Sequence, residues 1–550
     1  MHNVIFLCLL FLAFDVHAKV TITQIDPFVK VLPGEQYDPF NIVHATATGD
    51  FVTVQLLVKA DANKKFTIHL SSAILPSRFL ANIVQYRVGY IQVTDMLISS
   101  ARDRLRSFNN TYPDPLFKQT SFELSKDIPL SILLDIPVSG DAKPGTHHIN
   151  IELFSTSEKQ LLATTSISLQ VFPILLPSAK LNYVNWYHDV SFQQLNNNKP
   201  TLNFSTEYWS IFKNIVEETK RLGQNTFTIN PGFLISYKKV GSGWVADYLN
   251  FDKAVSIILQ AGMQFVECRQ FANRLGGWES SFGWVLPVFY SATEYMMVNK
   301  EFNHAEATLF FSWFLPSYYH HLQQKQWLPV VLQHIADEPI TANEDSYIQF
   351  ATFIKQAAPK LKIIEAIATK KVLPYVDVVV VPLGSLREYL PEIVNNNIKG
   401  EKQFWLYTSI HPQGEFANRF IELPLIKTTL LPWIVAKYNM QGYLHWGLNF
   451  WGNKPFENAS RVKFAEVYEF PAGDAYLVYP GDRTVSPSIR ALAMRNGLND
   501  VALLSLLKQK DAAAANLINT ILVKDVDQYE VSSSIYFQQK RRILQLLTAK

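Results

Sequence analysis

The chain has 550 residues, a net charge of +3 and 18% charged residues, so the basic surface that binds nucleic acid is not expected. Its length allows two or more domains with their own cores. Of its two cysteines, Cys8 lies in a segment predicted below to be removed, and Cys268 alone cannot form an internal disulfide, so stability must come from core packing. Aromatic residues make up 13% of the chain, and such rings fill cores or stack on sugars.

The chain begins with an apolar run at residues 4–14 that is too short to span a bilayer. Val16, His17 and Ala18 follow it and resemble a small-x-small cleavage site. We therefore predict a signal peptide at residues 1–18 and an exported protein that is periplasmic, secreted or at the cell surface. No later segment is apolar for long enough to predict a transmembrane helix.

Residues 19–178 show the pattern of an all-β domain. Short alternating runs at 51–58, 128–135 and 166–172 are separated by turn-forming residues. This pattern predicts an N-terminal β-sandwich. Pro173 and Pro177 indicate a linker, which places the domain boundary close to residue 178.

Beyond that boundary, strand-like and helix-like segments alternate, which predicts a parallel sheet wrapped by helices. The eight candidate strands are 182–186, 226–230, 265–268, 329–335, 362–366, 376–381, 403–407 and 442–446. The clearest candidate helices are 206–222 with Ser205 as N-cap, 251–261, 346–358 and 488–507. Eight such units predict a (β/α)₈ TIM-type barrel over 179–508, followed by a C-terminal helical segment at 509–550.

Asp337 and Glu338 follow the fourth predicted strand. The carboxyl ends of parallel strands are where barrel enzymes place their active sites. Pro339 keeps Glu338 out of helical geometry, which leaves the turn open and the carboxylates available. The alternative is structural, because acidic residues also cap helices and a helix is predicted to open at Thr341.

Aromatic and polar residues follow other predicted strands of the same barrel. The candidates for contact with a ligand are His334, Trp405, Tyr407, Asn418, Arg419, His445, Trp446, Asn449 and Trp451, and further polar or aromatic side chains at the same edge are Trp186, His188, Arg269, Asn273 and Arg274. Singly, each is more often structural. Together they would offer stacking surfaces, hydroxyl partners and a carboxylic acid, as hydrolysis of a glycosidic bond requires. Metal-ligand spacings, phosphate-binding glycine loops and Gly-x-Ser-x-Gly elbows are missing from the sequence, so no metal or cofactor is expected.

Several motifs in order resemble glycoside hydrolase family 123. They are HIADEP at 334–339, FWLY at 404–407, ANRFI at 417–421, LPW at 431–433, GYLHWGLN at 442–449, GDAYLVYPG at 473–481 and SIR at 488–490, with YPDPL at 112–116 extending the likeness into the β domain. The characterised members of the family are β-N-acetylgalactosaminidases. One departure is visible, because Asn496 and Asn499 stand where the family tends to carry acidic residues on the last crossover helix; that helix is expected outside the barrel, so the change concerns packing.

The resemblance implies a β-sandwich, a (β/α)₈ catalytic barrel and a substrate-assisted mechanism. Glu338 would be the general acid and then the base, and Asp337 would orient the 2-acetamido group of the sugar. Adjacent carboxylates fit this scheme better than one that needs them on opposite faces of the anomeric carbon, and an anionic Asp337 would raise the pKa of Glu338. A preference for β-linked N-acetylglucosamine, or a carbohydrate-binding protein without turnover, remains open.

Overall fold

The computed structural model describes residues 19–93, 103–178, 181–189, 192–459, 463–464 and 468–549. The predicted signal peptide, residues 1–18, lies outside the described residues. Along the described chain, two antiparallel-rich sheets come first, a parallel barrel follows, and helices end the chain.

The N-terminal β domain consists of two five-stranded sheets. In spatial order, the first contains Val20–Ile25, Phe51–Ala60, Leu130–Pro137, Val84–Gln92 and Thr111–Lys118, and the second contains Val43–Thr48, Leu161–Leu175, Gly145–Ser155, Lys64–Ser71 and Ser121–Leu124; a short helix spans Ser77–Ala81. Alternate side chains of both sheets form one buried apolar cluster, to which Val54 and Leu134 belong from the first sheet and Ile151 and Leu169 from the second. Burial of this cluster stabilises the domain.

Pro173 lies within a strand and not in the predicted linker. The strand runs to Leu175, and its pairing with Val43–Thr48 shifts between Phe172 and Leu175. Proline is tolerated at such an irregularity because no ladder hydrogen bond from its nitrogen is needed there. The connection to the barrel therefore begins after Leu175.

Eight parallel strands form a nearly closed barrel, consistent with a TIM-like fold. They are Asn182–Asn185, Thr226–Ile229, Phe265–Cys268, Val331–Gln333, Lys362–Ala366, Val378–Pro382, Gln403–Tyr407 and Gly442–His445, numbered here as barrel strands 1 to 8. Their spatial order is 1-8-7-6-5-4-3-2. The predicted strands match these bounds to within about two residues at each end, and the acidic pair follows barrel strand 4 as expected.

Barrel strands 1 and 2 are joined by hydrogen bonds of Gln224 and Asn225, because the two strands share no strand ladder. The backbone N–H of Asn225 donates to the Tyr183 carbonyl at 3.2 Å, and the Asn225 side-chain oxygen accepts from the Tyr183 N–H at 2.8 Å. Gln224 accepts from the backbone N–H of Asn185 at 3.1 Å. These bonds satisfy backbone groups that a closed ladder would otherwise pair.

Helices surround the barrel. The α-helices are Thr206–Arg221, Pro231–Leu234, Leu249–Gln260, Ala305–Gln324, Glu344–Ala357, Leu386–Lys399, Leu425–Lys437 and Ile489–Lys510, and 3₁₀ segments span Phe192–Asn196, Lys370–Tyr375 and Leu383–Ser385. Ser205 and Ser488 cap their helices through side-chain hydrogen bonds, as predicted for Ser205. The prediction of eight regular βα units is wrong at barrel strand 5, because the short connection to strand 6 contains Pro374 and forms only a 3₁₀ segment.

Antiparallel excursions enlarge the rim of the barrel, and the sequence pattern did not predict them. A hairpin of Ser236–Val240 and Gly243–Asp247 follows barrel strand 2, and a three-stranded sheet of Ala272–Arg274, Phe282–Phe289 and Tyr295–Glu301 follows barrel strand 3. After barrel strand 8, short strands lie at Lys463–Phe464, Tyr468–Glu469, Val478–Pro480 and Val485–Pro487.

The chain ends with helices Ala512–Leu522 and Ser533–Thr548, separated by strands Val523–Asp525 and Gln528–Tyr529. Among the described helices, none combines the length and apolar character needed to cross a membrane.

Buried ion pairs join the β domain to the barrel. Arg490 forms a two-pronged contact with Asp114, at 2.8 and 2.7 Å, and both side chains are fully buried. Arg495 contacts Asp135 at 2.6 Å in the same way. Removing one partner of such a pair leaves a buried charge, which costs about 3–5 kcal/mol. The motif residues Asp114 and Arg490 therefore hold the two domains together.

Asn496 and Asn499 lie at this same domain contact. Asn499 donates to Asp50 Oδ1 at 2.8 Å, and Asn496 donates to Thr53 Oγ1 at 3.0 Å. An acidic side chain at 499 would place a further carboxylate beside Asp50 and Asp500, which already share Lys540. The departure from the family pattern thus concerns packing outside the barrel, as predicted.

Candidate active site

The acidic pair occupies an open turn between barrel strand 4 and the next helix. That helix begins at Glu344 with Asn343 as its N-cap, so Asp337 and Glu338 do not cap it, and the capping alternative is wrong. Glu338 has a φ of 47°, in the left-handed region that costs a residue with a side chain about 1–3 kcal/mol. Contacts from other parts of the barrel must hold this conformation.

Two side chains fix Glu338. The Tyr407 hydroxyl at the end of barrel strand 7 donates to its carboxylate, and Arg274 Nη2 donates to its backbone carbonyl at 2.8 Å. Burial raises the pKa of Glu338 to about 7, and the nearby Asp337 acts in the same direction. The predicted direction is confirmed, with burial as the larger cause. A carboxyl that titrates near neutral pH is suited to donate and then accept a proton.

Asp337 lies in a more cationic environment than Glu338. Burial raises its pKa, while the positive charges of His334, Arg274 and Arg269 oppose that rise. These cations favour the ionised form of Asp337. The two carboxyls of the turn are therefore in different surroundings, which is the arrangement that separates an acid from an anion.

His334, predicted from the sequence as a contact with substrate, is a buried support beneath the pair, and only 1% of it is exposed. Its ring nitrogens lie 2.8 Å from Glu365 Oε1 and 2.5 Å from Glu267 Oε1. Burial alone would lower the pKa of His334, but the two carboxylates outweigh it and raise the pKa to about 10. His334 is therefore an imidazolium at neutral pH.

Glu365 and Glu267 connect this imidazolium to the turn. Glu365 Oε2 accepts the backbone N–H groups of Ile335 and Ala336, both at 3.0 Å. Glu267 also accepts from Trp186 Nε1 at 2.7 Å. Sequence reasoning missed both glutamates. The available signal was a carboxylate inside each of two apolar strands, which is costly to bury unless it is paired.

Trp405 and Tyr407 lie on the same face of barrel strand 7 but at different depths. Trp405 has no exposed surface, and its Nε1 donates to Gln403 at 3.1 Å. A Cβ at Gly442 on the neighbouring strand would lie 2.5 Å from the Trp405 ring, so this glycine makes room for it. Trp405, predicted as a sugar contact, fills the barrel interior, whereas Tyr407 reaches the acidic pair.

Trp446 is the predicted platform that the structure leaves partly exposed. Its Nε1 donates to Asp474 Oδ2 at 2.9 Å. His188 lies edge-on to the ring at 5.9 Å between centroids, and Phe450 lies at 5.6 Å. The ring is thus oriented at the end of barrel strand 8 with part of its surface free for a ligand.

The remaining predicted contacts are buried and bind the loops of the rim; they are Asn418, Arg419, His445, Asn449 and Trp451. Asn449 accepts from the backbone N–H of His188 at 2.8 Å and donates to its carbonyl at 2.9 Å. Arg419 donates to the Asn185 side chain and to the Gly447 and Asp474 carbonyls.

Asn418 donates to the Ser409 and Pro412 carbonyls. His445 Nδ1 accepts from the Gly447 N–H at 3.1 Å, and Trp451 Nε1 donates to the Val478 carbonyl at 2.7 Å. All five residues are therefore buried and stabilise the loops of the rim.

Asp189 was also missed by sequence reasoning. It follows barrel strand 1, where burial raises its pKa to about 6 and Arg269 opposes the rise. Arg269 lies over the Trp186 ring at 5.2 Å and donates to the Tyr187 carbonyl at 3.2 Å. Since Arg269 also acts on Asp337, it lies between two carboxylates at this edge of the barrel.

Comparison with known proteins identifies the family. The model of the glycoside hydrolase 123 catalytic domain matches residues 186–507, which is more than half of the chain. The chain belongs to glycoside hydrolase family 123. The family resemblance found in the sequence motifs is thereby confirmed, and family membership supports hydrolase activity on a carbohydrate.

A solved structure has the same fold over nearly its whole length. It comes from a study of glycolipid glycan hydrolysis by a family 123 glycoside hydrolase from Clostridium perfringens, with a TM-score of 0.74, 15% identity, and coverage of 96% of this chain and 97% of that chain. A Bacteroides uniformis β-glucuronidase aligns with a TM-score of 0.28, 11% identity, and coverage of 79% and 45%, which bears on neither fold nor function. A comparison with curated proteins finds no match.

Proposed function

We propose that this glycoside hydrolase is exo-acting and releases terminal β-linked N-acetylgalactosamine from glycans or glycolipids. The proposed mechanism retains the anomeric configuration and uses the 2-acetamido group of the substrate as the nucleophile. The family resemblance supports the sugar, and the glycolipid substrate in the Clostridium perfringens study supports the class of glycan.

The observation that carries the mechanism is the placement of both carboxyls on one short turn. A retaining enzyme with a carboxylate nucleophile needs two carboxyls about 5–5.5 Å apart that flank the anomeric carbon, and an inverting enzyme needs a wider gap. Consecutive residues on one turn do not flank a sugar ring. A nucleophile supplied by the substrate removes that requirement.

In the first step, Glu338 gives its proton to the glycosidic oxygen as the bond to the anomeric carbon breaks. The acetamido oxygen forms the new bond to that carbon, and Asp337 accepts a hydrogen bond from the acetamido N–H and stabilises the positive charge of the oxazolinium ion. In the second step, Glu338 takes a proton from water, which attacks the same carbon and restores the acetamido group. Two inversions give net retention.

The first test compares purified protein on paired chromogenic β-N-acetylgalactosaminide and β-N-acetylglucosaminide substrates. We expect the galacto compound to be preferred. A faster rate on the gluco compound would change the assigned sugar, and binding of both without turnover would favour the carbohydrate-binding alternative.

The second test addresses the nucleophile. A substrate with a plain 2-hydroxyl should be almost inert, and a thiazoline mimic of the cyclised intermediate should bind more tightly than substrate, because the site is complementary to the transition state. Product followed by NMR should retain its configuration. An inverted product, or a covalent ester trapped on an Asp or Glu with a 2-fluoro sugar, would assign the nucleophile to the protein.

We also propose that the protein is exported after removal of residues 1–18. N-terminal sequencing of the mature protein would test this, because an intact Met1 would contradict it. We further interpret the two N-terminal sheets as the predicted β-sandwich and the last two helices as the predicted C-terminal helical segment.

A further inference from the structure

Trp278 stands apart from the other tryptophans. All eleven tryptophans of the chain lie in the described part, and ten of them are buried or partly buried, whereas Trp278 is 52% exposed. It lies in the loop between Ala272–Arg274 and Phe282–Phe289, in the excursion that follows barrel strand 3. Single exposed apolar side chains are common and need no explanation by themselves. The residues around Trp278, however, indicate a role for its exposed ring.

The loop that carries Trp278 is fixed by hydrogen bonds. Its backbone carbonyl accepts from Arg274 Nε at 2.9 Å and from Asn343 Nδ2 at 3.2 Å, and the same Asn343 amide donates to the Ser280 carbonyl at 3.2 Å. Asn343 is 2% exposed. Gly276 N–H donates to Ser280 Oγ at 2.9 Å, which closes the loop. The ring of Trp278 is thus held in place while contributing little to the core.

Arg274 joins this ring to the catalytic turn. Its guanidinium carbon lies 3.8 Å from the centre of the Trp278 ring, and its Nη2 donates to the Glu338 carbonyl at 2.8 Å. One guanidinium group therefore separates an exposed indole from the backbone of the proposed acid. It also covers one face of the ring, so the exposed surface of Trp278 belongs to its other face and edges.

The position of the acid indicates what this surface meets. Glu338 gives its proton to the glycosidic oxygen, so the leaving group lies on the side of Glu338, beyond the sugar that is cleaved off. Trp278 is one guanidinium group away from the backbone carbonyl of Glu338, and its exposed aromatic face suits the apolar face of a sugar ring. From this juxtaposition of Trp278, Arg274 and Glu338, we propose that Trp278 forms a leaving-group subsite that stacks on the first hexose of the aglycone. This inference rests on the proposed function and adds a determinant of aglycone specificity to it.

The test uses two substrates that share the cleaved sugar and the need for an acid. One is the methyl β-glycoside of N-acetylgalactosamine, and the other carries the same sugar β-linked to a second hexose. Both have alcohol leaving groups that need protonation, and each variant is compared with wild type on the same substrate, so a loss confined to the disaccharide reports on the hexose that the subsite would hold. The readout is kcat/KM for wild type, Trp278→Ala, Trp278→Phe and Tyr290→Ala. Tyr290 is a matched control, since it is 71% exposed in the same excursion and has no contact with Arg274.

We expect Trp278→Ala to lower kcat/KM about tenfold on the disaccharide, which corresponds to about 1.4 kcal/mol, and to change it less than about twofold on the methyl glycoside. Trp278→Phe keeps an aromatic face and should recover most of the loss. Tyr290→Ala should behave as wild type on both substrates. Thermal unfolding should be unchanged in all three variants, because neither ring contributes much buried surface.

An equal loss on both substrates would show that Trp278 acts through Arg274 on the position of Glu338, and it would overturn the subsite. No loss on either substrate would overturn it as well. If wild type cleaves neither substrate, the proposed function fails and the subsite fails with it. Normal wild-type turnover with no discrimination between the substrates in Trp278→Ala refutes the subsite alone.

Discussion

The ionisation of Glu338 can be tested directly, because one neighbour raises its pKa and another lowers it. Burial and Asp337 raise the pKa of Glu338 to about 7, and the hydrogen bond from Tyr407 lowers it. A general acid must be protonated in the free enzyme, so kcat/KM should fall as the pH rises through about 7. On the acid side, kcat/KM should fall as the pH drops far enough to protonate Asp337.

The size of the effect follows from the shift. With a pKa of about 7, Glu338 is about 90% protonated at pH 6, whereas with its ordinary value of about 4.5 it would be about 3% protonated. The environment thus supplies about thirtyfold more of the acid form at that pH. A good leaving group would hide this difference, so the assay requires an alkyl β-N-acetylgalactosaminide.

Two substitutions should move the alkaline limb in opposite directions. Asp337→Asn removes an anion that raises the pKa of Glu338, so the limb should move to lower pH in the activity that remains. Tyr407→Phe removes a donor that stabilises the carboxylate, so the limb should move to higher pH. Direct titration of the Glu338 carboxyl by ¹³C NMR gives the same pKa without relying on turnover.

Tyr438→Phe is the matched control, because Tyr438 donates to Asp525 at 2.7 Å on the far side of the barrel and should leave the pH profile unchanged. Shifts of the same sign in Asp337→Asn and Tyr407→Phe would refute the reasoning. A wild-type limb near pH 4.5 would refute it as well, since burial would then not perturb Glu338.

Glu338→Gln should lower turnover by about 10²–10⁴-fold on poor leaving groups and by less on good ones, and rates near wild type on an alkyl glycoside would contradict the assignment. His334→Gln should lower the free energy of unfolding by about 3–5 kcal/mol in urea titrations, because Glu267 and Glu365 remain buried without their cation. Since the pKa of His334 is raised to about 10, the contribution of its charge to stability should be complete below about pH 6.5 and lost as the pH rises through about 10. A His334→Gln variant as stable as wild type would show that His334 does not stabilise the barrel in this way. Trp446→Ala should weaken substrate binding by about 1–3 kcal/mol and should lose less stability than Trp405→Ala, which should lose about 3–5 kcal/mol through the cavity it leaves. Weaker binding in Trp405→Ala together with a larger loss of stability in Trp446→Ala would contradict both assignments.

The order of the barrel and the position of Glu338 could be predicted because they depend on local signals. Each strand is a short apolar run, each helix has its own period and cap, and the chain order of βα units fixes their neighbours. The excursions could not be predicted, since nothing local states that Phe282–Phe289 leaves the parallel sheet. Its antiparallel partner Tyr295–Glu301 is set by tertiary packing.

The depth of a side chain was the other quantity that the sequence did not contain. Trp405 and Tyr407 share a face of barrel strand 7 by the two-residue period of a strand, yet Trp405 has no exposed surface and Tyr407 binds Glu338. Asn449 and Arg419 follow the correct strands and still face the loops, because rim loops carry backbone groups that must be paired when buried. Residue type and strand position could place these residues near the site but could not separate support from contact.

The buried imidazolium gives a physical reason for the different roles of two adjacent carboxyls. Because Asp337 and Glu338 are consecutive residues on one turn, their carboxyls would otherwise be expected to ionise over a similar pH range. His334 is the strongest of the positive influences on Asp337, while the largest influence on Glu338 after burial is Asp337 itself. His334 therefore stabilises the ionised form of Asp337, and this anion in turn raises the pKa of Glu338. Glu267 and Glu365 keep His334 charged, so these two residues, which lie within apolar strands below the site, favour the distribution of protons that the proposed reaction needs.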